Sequence, residues 1–163
     1  MNNHLNKIAL SSITAAVYVA ACLILSPISF GPVQFRFAEM LCLLSIDYMW
    51  AYVGVIIGCF ISNTFFGGLG ILDMVFGTLA TVIGCGLAHA FRKKLTGGYP
   101  LISALMIVIA NGVIVGIELG IILETPDLIP LYILEVAFGE LVVMLVGLPV
   151  YKRLKADIDS RLS

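Results

Sequence analysis

Residues 101–123 read LISALMIVIANGVIVGIELGIIL, and Glu118 is the single charged side chain among them. A helix of about 20 mostly apolar residues crosses the ~30 Å hydrocarbon core of a bilayer, so this stretch predicts a transmembrane helix. The whole 163-residue chain has the same character, with 61% hydrophobic and 12% charged residues. Soluble domains average roughly 45–50% apolar and 25% charged residues. The composition leaves too few polar residues to cover a water-facing surface, and it predicts one integral membrane domain over 1–163.

Five further apolar stretches accompany the first, and together they predict an all-α membrane protein, a compact bundle of six transmembrane helices. The predicted helices cover 8–26, 33–47, 49–64, 70–91, 101–123 and 129–150. The second and third are short, and the acidic and aromatic sequence Asp47-Tyr48-Met49-Trp50 separates them as an interfacial turn would. Joined into one span, 33–64 would be far too long and would bury Asp47.

The basic residues predict the orientation of these helices, because cytoplasmic loops collect Lys and Arg. With the N-terminus in the cytoplasm, the predicted cytoplasmic segments hold all of the nine Lys and Arg residues except Arg36. These residues are Lys7, Arg92, Lys93, Lys94, Lys152, Arg153, Lys155 and Arg161. We therefore expect a multi-pass plasma-membrane protein with both termini in the cytoplasm.

Most polar residues inside the predicted helices then fall in the outer half of the membrane. The candidate ligand-binding residues are Gln34, Arg36, Glu39, Asn63, Asp73, Asn111, Glu118, Glu135 and Glu140. An ionisable residue in a membrane helix costs about 2.5–3.5 kcal/mol on insertion scales and usually faces a cavity or a partner. Pairs such as Arg36 with Glu39 or Asp73 would explain part of the set, but one arginine cannot neutralise five carboxylates. A water-accessible pocket that opens to the outside explains the set better.

The side chains of this pocket suggest the solute that it would bind. A carboxylate accepts two parallel hydrogen bonds from an amidine-like edge, and Gln or Arg donates to a carbonyl. A small, flat, hydrogen-bonding or cationic solute fits this chemistry. Aromatic side chains near the pocket are candidates to stack on a planar ring, or alternatively to face lipid. They are Phe35, Phe37, Phe65, Phe66 and Tyr132.

Small residues recur at four-residue spacing in three of the predicted helices. Such faces let membrane helices approach closely. Gly54, Gly58 and Ser62 form one face, and Gly112, Gly116 and Gly120 form another, both interpreted as internal packing. The face formed by Ser12, Ala16 and Ala20 in the first helix is the candidate for docking a different membrane protein.

Several classes of protein and site are not expected from this sequence. The chain has no Walker lysine, no HExxH and no GxSxG, so ATP hydrolysis by the chain itself and a bound cofactor are not expected. The four cysteines lie in apolar runs, and the two histidines are far apart, so neither a disulfide framework nor a metal site is expected. No feature points to nucleic acid.

Two local motifs have alternative interpretations. Lys7 and the apolar run that reaches Cys22 resemble a lipoprotein signal, but the run continues to Pro27 and favours a first transmembrane helix. The glycine-rich segment NTFFGGLGILD (63–73) lacks the lysine of a phosphate-binding loop. It is interpreted as a mobile gate or a tight re-entrant turn.

Two stretches, GPVQFRFAEML (31–41) and NTFFGGLGILDMVFGTLAT (63–81), carry a family resemblance. The chain resembles the queuosine-precursor transporter (QueT) family over nearly its whole length. These proteins are substrate-binding S components of energy-coupling factor (ECF) transporters. The resemblance implies a bacterial plasma-membrane protein that binds a 7-deazaguanine precursor of queuosine from outside. It also implies docking on a transmembrane coupling protein and two cytoplasmic ABC ATPases, which use the ATP, with Ser12, Ala16 and Ala20 at the interface.

The resemblance and the predicted depths together suggest roles in the site. Glu39, Glu118 and Glu135 are expected to accept hydrogen bonds from a deazaguanine. An aminomethyl version of the base would add a cation that suits the surplus of carboxylates. The donors or orienting groups would be Gln34, Arg36 and Asn111. Which carboxylate meets which edge of the base stays open.

Other functions stay open on the residues alone. The chain could be an S component for a different vitamin-like solute. It could be an intramembrane enzyme in which Glu118, Glu135 or Asp73 act as acid and base. It could also be an assembly subunit whose polar residues only pair with one another.

Overall fold

The structure is a computed structural model that describes residues 3–26, 35–67 and 70–162. Its elements are α1 (Asn3–Ile24), the 3₁₀-helix η1 (Phe37–Ile46), α2 (Met49–Phe65), α3 (Ile71–Ala90), α4 (Leu101–Ile122), the short 3₁₀-helix η2 (Pro126–Leu128) and α5 (Ile129–Leu162). Within those ranges the only β pairing is an isolated bridge between Thr96 and Tyr99. The predicted all-helical architecture is therefore confirmed.

Four helices in the described ranges are long and apolar enough to cross a membrane. They cover His4–Ile24, Ile71–Ala90, Leu101–Ile122 and Pro126–Arg161. Two shorter apolar helices, Phe37–Ile46 and Met49–Phe65, complete the six. The protein is a multi-pass membrane protein. The direction in which it faces remains a prediction from the distribution of its basic residues.

The second helix differs from the prediction in type and length. It is a ten-residue 3₁₀-helix that begins at Phe37, whereas an α-helix over 33–47 was predicted. Phe35 and Arg36 are not helical, and residues 33 and 34 lie outside the described part of the chain. A 3₁₀-helix rises about 2.0 Å per residue against 1.5 Å in an α-helix, so ten residues span about 20 Å.

The last helix begins as predicted but continues twelve residues past the predicted end at 150. The prediction stopped where charged residues begin at Lys152. Beyond that point Leu154 and Ile158 still pack on the main core, with Tyr151 buried one turn earlier. The helix is therefore amphipathic after residue 150. Its apolar side packs on the core and stabilises the helix beyond the predicted membrane boundary.

The glycine faces pack between helices as expected. A Cβ at Gly58 would lie 2.8 Å from Cβ of Tyr18, so α2 approaches α1 closely. A Cβ at Gly112 would lie 2.8 Å from Cβ of Ala137, so α4 approaches α5 in the same way. The two helix pairs enclose η1, which contacts α1, α2, α3, α4 and α5. This central position places the polar residues of η1 inside the bundle.

One end of the bundle gathers basic residues, and we call it the basic end. Lys155 Nζ lies 2.5 Å from Asp47 Oδ2, and Tyr151 donates a hydrogen bond to the same carboxylate. Tyr48 donates to Asp159 Oδ1 at 2.5 Å. These contacts join the extension of α5 to the turn between η1 and α2. Glu39, Asp73 and Glu118 lie toward the opposite end.

Candidate functional site

The 3₁₀ geometry of η1 aligns a row of polar residues. Glu39, Cys42 and Ser45 are three residues apart in η1, where side chains at i and i+3 eclipse one another, and Arg36 directly precedes the helix. All four are buried. The helix therefore presents a polar edge inside the bundle, with Glu39 and the preceding Arg36 at the end far from the basic residues.

Arg36 pairs with an acid from another helix. Its Nη2 atom lies 3.3 Å from Oδ1 of Asp73, near the start of α3. Both side chains are almost inaccessible, with exposed fractions of 6% and 3%. This is one of the two pairs that the sequence suggested. Buried ion pairs need good geometry to offset desolvation, so this pair fixes the relative position of η1 and α3.

Glu39 is bonded to neighbours other than Arg36. The hydroxyl of Tyr18 in α1 donates to Oε1, and the thiol of Cys42 donates to Oε2 at 2.8 Å. Each carboxylate oxygen thus has a donor, and the exposed fraction of Glu39 is 1%. The suggested pair between Arg36 and Glu39 is replaced by these two hydrogen bonds and by the pair with Asp73.

A small cavity lies beside these residues. Its volume is about 10 Å³, and its lining comprises Arg36, Glu39, Asn111, Val115, Val136 and Glu140. A space of this size holds about one water molecule. Pockets for small organic ligands are typically about 300–1,000 Å³. A ligand can enter here only if the surrounding helices or loops move apart.

Two further carboxylates in this region lack partners. Among the described residues, both oxygens of Glu118 and Oε1 of Glu140 are buried without a hydrogen bond. The exposed fractions of the two residues are 1% and 3%. Arg36 is the cation acting on both, while Asp73 acts on Glu118 and Glu39 acts on Glu140 as like charges. Unsatisfied buried carboxylates are costly, and they mark acceptors that remain available for a ligand.

The other predicted site residues lie in different settings. Asn111 lines the cavity, and its Nδ2 atom donates to the Ile107 carbonyl of its own helix at 3.3 Å. Asn63 is buried and donates to the backbone carbonyl of Asp73 at 3.3 Å, which ties the end of α2 to the start of α3. Glu135 is half-buried and does not line the cavity. Gln34 lies outside the described residues.

The candidate stacking aromatics are scattered. Phe35, Phe37 and Phe66 are partly buried against the main core. Phe65 is 74% exposed, as expected for a lipid-facing side chain. Tyr132 packs on a second core cluster, with its hydroxyl 3.0 Å from that of Thr125. None of the five lines the small cavity, whose apolar walls are Val115 and Val136.

The candidate docking face lies on the outside of the bundle. Ser12, Ala16 and Ala20 are exposed, while Ser11, Thr14 and Tyr18 on the other side of α1 are buried. An open groove of about 660 Å³ runs beside this face, between α1, η1 and the end of α5. Ala9 and Ile13 line the groove and lie on the face adjacent to Ala16. The small-residue face and the groove thus form one continuous surface.

Sequence reasoning missed two residues that contact Glu39. Tyr18 stands in an apolar helix, where a tyrosine resembles many interfacial or core aromatics. Cys42 lies in an apolar run, where a cysteine usually behaves as a small buried hydrophobe. The available signal was the three-residue spacing between Glu39 and Cys42, because a 3₁₀-helix brings side chains at this spacing into line. No group of three metal-ligating side chains occurs within the described ranges.

This arrangement can be compared with known proteins. The family description "QueT transporter" matches residues 8–156, which include every site residue that the structure describes. The chain belongs to the QueT transporter family. A relative from Lactococcus lactis subsp. cremoris (strain MG1363), the "Queuosine precursor transporter QueT", is 30% identical over 158 residues, covering 91% of each chain. No solved structure matches the chain at a significant level. The family places the polar cluster around Arg36 in a transport protein.

Proposed function

We propose that this protein is the substrate-binding S component of an ECF importer and that it captures a queuosine precursor of the 7-deazaguanine type. The observation that carries the proposal is the polar cluster around Arg36, in which Glu118 and Glu140 keep buried oxygens free for a ligand. The family membership and the Lactococcus relative, described as a queuosine precursor transporter, supply the class of solute.

The chemistry of the cluster suits such a base. A deazaguanine presents a ring N–H and an amino group on one edge. A carboxylate can accept a hydrogen bond from each of these two groups. The base also presents a carbonyl, which the amide of Asn111 or the guanidinium of Arg36 can bind. Val115 and Val136 offer apolar contact to the two faces of a flat ring. Glu39 keeps its hydrogen bonds from Tyr18 and Cys42, and these bonds hold the polar edge of η1 in its orientation.

Energy for import would come from partners. The site would open toward the outside, in keeping with the predicted orientation, and the loaded protein would then dock on a transmembrane coupling protein. The exposed face of Ser12, Ala16 and Ala20 supports this docking, because small residues allow close helix contact in a membrane. Two ABC ATPases bound to the coupling protein would hydrolyse the ATP.

Ligand binding by the purified protein tests the proposal. Detergent-solubilised protein should bind a 7-deazaguanine without ATP, and mass spectrometry should find such a base among co-purifying small molecules. Glu140→Gln should weaken binding, whereas Asp127→Asn, which removes an exposed acid in η2, should leave it unchanged. A folded preparation that binds no deazaguanine but binds another vitamin-like solute would overturn the assigned substrate.

A further inference from the structure

The open groove beside α1 is apolar along its length and polar at one end. Besides apolar side chains of α1, η1 and α5, its lining includes the polar residues Asn6, Thr14 and Arg161. Thr14 donates its hydroxyl to the carbonyl of Leu10 in its own helix at 2.7 Å, so it adds little polarity to the groove. Asn6 lies near the start of α1 and Arg161 near the end of α5, and both therefore lie at the basic end.

The apolar part of the groove has nearly the length of one membrane leaflet. α1 runs from the basic end toward the candidate site, where Tyr18 contacts Glu39. Between the lining residues Ala9 and Val17 it advances by about 12 Å. Half of the ~30 Å hydrocarbon core of a bilayer is about 15 Å. Ile13 and Val17 are 62% and 48% exposed, so the groove opens toward the membrane and can hold one acyl chain.

The polar end of the groove offers hydrogen-bond donors and positive charge. In the part of the chain that the structure describes, Arg161 forms no ion pair, and the side chain of Asn6 forms no hydrogen bond. Residues 152–161 of α5 hold four basic side chains against two acids, and one of these acids, Asp159, accepts a hydrogen bond from Tyr48. The charge at this end of the groove is therefore complementary to an anion.

An anionic phospholipid combines the two required features in one molecule. Its acyl chain lies in one leaflet, and its phosphate lies at the membrane surface beside that leaflet. A guanidinium binds a phosphate through two parallel hydrogen bonds. Basic pockets between membrane helices on the cytoplasmic side bind anionic headgroups, and the basic end faces the cytoplasm in the predicted orientation.

We propose that the groove between α1, η1 and the end of α5 holds one anionic phospholipid. One acyl chain lies along α1 from Ala9 to Val17, and the phosphate binds Arg161 and Asn6. The lipid then borders the exposed face of Ser12, Ala16 and Ala20. This inference is independent of the proposed function, because it involves neither the transported solute nor a coupling protein.

Two lipids with identical acyl chains test the proposal. Phosphatidylglycerol carries a net negative charge, and phosphatidylcholine carries none. Each is titrated into the full-length protein in lipid-free detergent, and native mass spectrometry counts the bound lipids. The wild-type protein should retain one phosphatidylglycerol about fivefold more tightly than phosphatidylcholine, as expected for one basic residue beside an anionic headgroup.

Two variants separate the charge from the groove. Arg161→Gln should remove the preference for phosphatidylglycerol, whereas Arg153→Gln, at an exposed position of α5 outside the lining, should preserve it. Ala9→Phe should fill the groove and weaken both lipids. Ala156→Phe is the matched control, since it makes the same change at an exposed position that does not line the groove.

Four results would overturn the proposal. Equal retention of the two lipids by the wild-type protein would show only the ordinary lipid that surrounds any membrane protein. An equal loss of preference in Arg161→Gln and Arg153→Gln would show that the basic end attracts lipid without a defined site. Unchanged retention in a folded Ala9→Phe variant would place the acyl chain elsewhere. A lipid-free dimer that Ala9→Phe abolishes would assign the groove to a second copy of the chain.

Discussion

Tyr18 in α1 donates a hydrogen bond to Glu39 in η1, and both side chains are 1% exposed. The contact joins two parts of the molecule with different proposed tasks. α1 carries the exposed face of Ser12, Ala16 and Ala20, while η1 carries Glu39 and directly follows Arg36 at the candidate site. Any displacement of Glu39 during ligand entry therefore acts directly on the helix proposed to dock.

Removal of this hydrogen bond should destabilise the protein. Tyr18→Phe takes the donor from a buried carboxylate oxygen, and leaving such a group unsatisfied costs about 1–3 kcal/mol. We expect a lower unfolding temperature in detergent and weaker ligand binding, because Glu39 loses one of its two donors. Tyr132→Phe is a matched control, since its hydroxyl bonds Thr125 in a partly buried position.

An equal change in unfolding temperature for Tyr18→Phe and Tyr132→Phe would contradict this expectation. It would mean that the Tyr18 hydroxyl contributes no more than a peripheral one. The bond to Glu39 would then not hold α1 against η1.

The ion pair of Arg36 and Asp73 predicts a non-additive pair of substitutions. Removing one member of a buried ion pair takes a charge partner from the other, at a cost of about 3–5 kcal/mol. Arg36→Met and Asp73→Asn should each lower the stability strongly. The double variant should lose much less than the sum of the two, as a double-mutant cycle by thermal unfolding would measure.

Additive losses would show that the two side chains act independently despite their 3.3 Å separation. Ligand binding gives a second measurement in the same variants. Arg36→Met should weaken binding without a change in membrane topology, as cysteine labelling from the two sides would report.

Much of the fold could be predicted because lipid solvation leaves a strong signal in the chain. Long apolar runs located α1, α3 and α4 to within five residues at each end. The positions of polar residues along those runs then predicted that Arg36, Asp73, Glu118 and Glu140 lie in one region of the bundle. The depth of a residue in the membrane can be obtained by counting residues along its helix, since each residue advances a fixed distance along the helix axis.

Rotation of a helix about its axis is harder to predict than depth. Glu135 and Glu140 lie on the same helix, yet Glu140 lines the cavity and Glu135 is half-buried beyond it. A nearly uniform apolar sequence gives little amphipathic signal to decide which face turns inward. The same uncertainty hid the 3₁₀ form of η1, because a change from 3.6 to 3.0 residues per turn depends on packing rather than on residue type.

The exposed small-residue face predicts a variant that folds and binds but does not transport. Ala16→Trp places a large side chain at an exposed position of α1. We expect unchanged stability and ligand affinity, with loss of uptake in cells that supply the coupling protein and ATPases. Val113→Trp, at a 40% exposed position on α4, is the control and should preserve uptake.

Full uptake with Ala16→Trp would place the docking surface elsewhere on the bundle. Reduced ligand affinity in the same variant would instead indicate that α1 acts on the site, through Tyr18 and Glu39.

The basic end predicts a loss of stability at alkaline pH. Burial raises the pKa of Tyr48 above its ordinary value near 10, and the hydrogen bond to Asp159 raises it further. Its protonated hydroxyl therefore stabilises the folded protein fully below pH ~10, and this contribution is lost as the pH rises above that value. The unfolding temperature of the wild-type protein should fall more steeply than that of Tyr48→Phe above pH ~10. The variant should be less stable than the wild type at neutral pH.

Deprotonation of the lysines at high pH affects the stability of the wild type and of Tyr48→Phe equally. The difference between their two curves of unfolding temperature against pH therefore reports the contribution of the Tyr48 hydroxyl. Tyr99→Phe provides a control at the same end, where the ring of Tyr99 lies 4.9 Å from Lys152 Nζ. Parallel curves for the wild type and Tyr48→Phe would show that the bond to Asp159 does not hold the α5 extension in place. A narrowing gap above pH ~10 would show that this bond connects the extension to the turn after η1, and thereby to the helix that carries the candidate site.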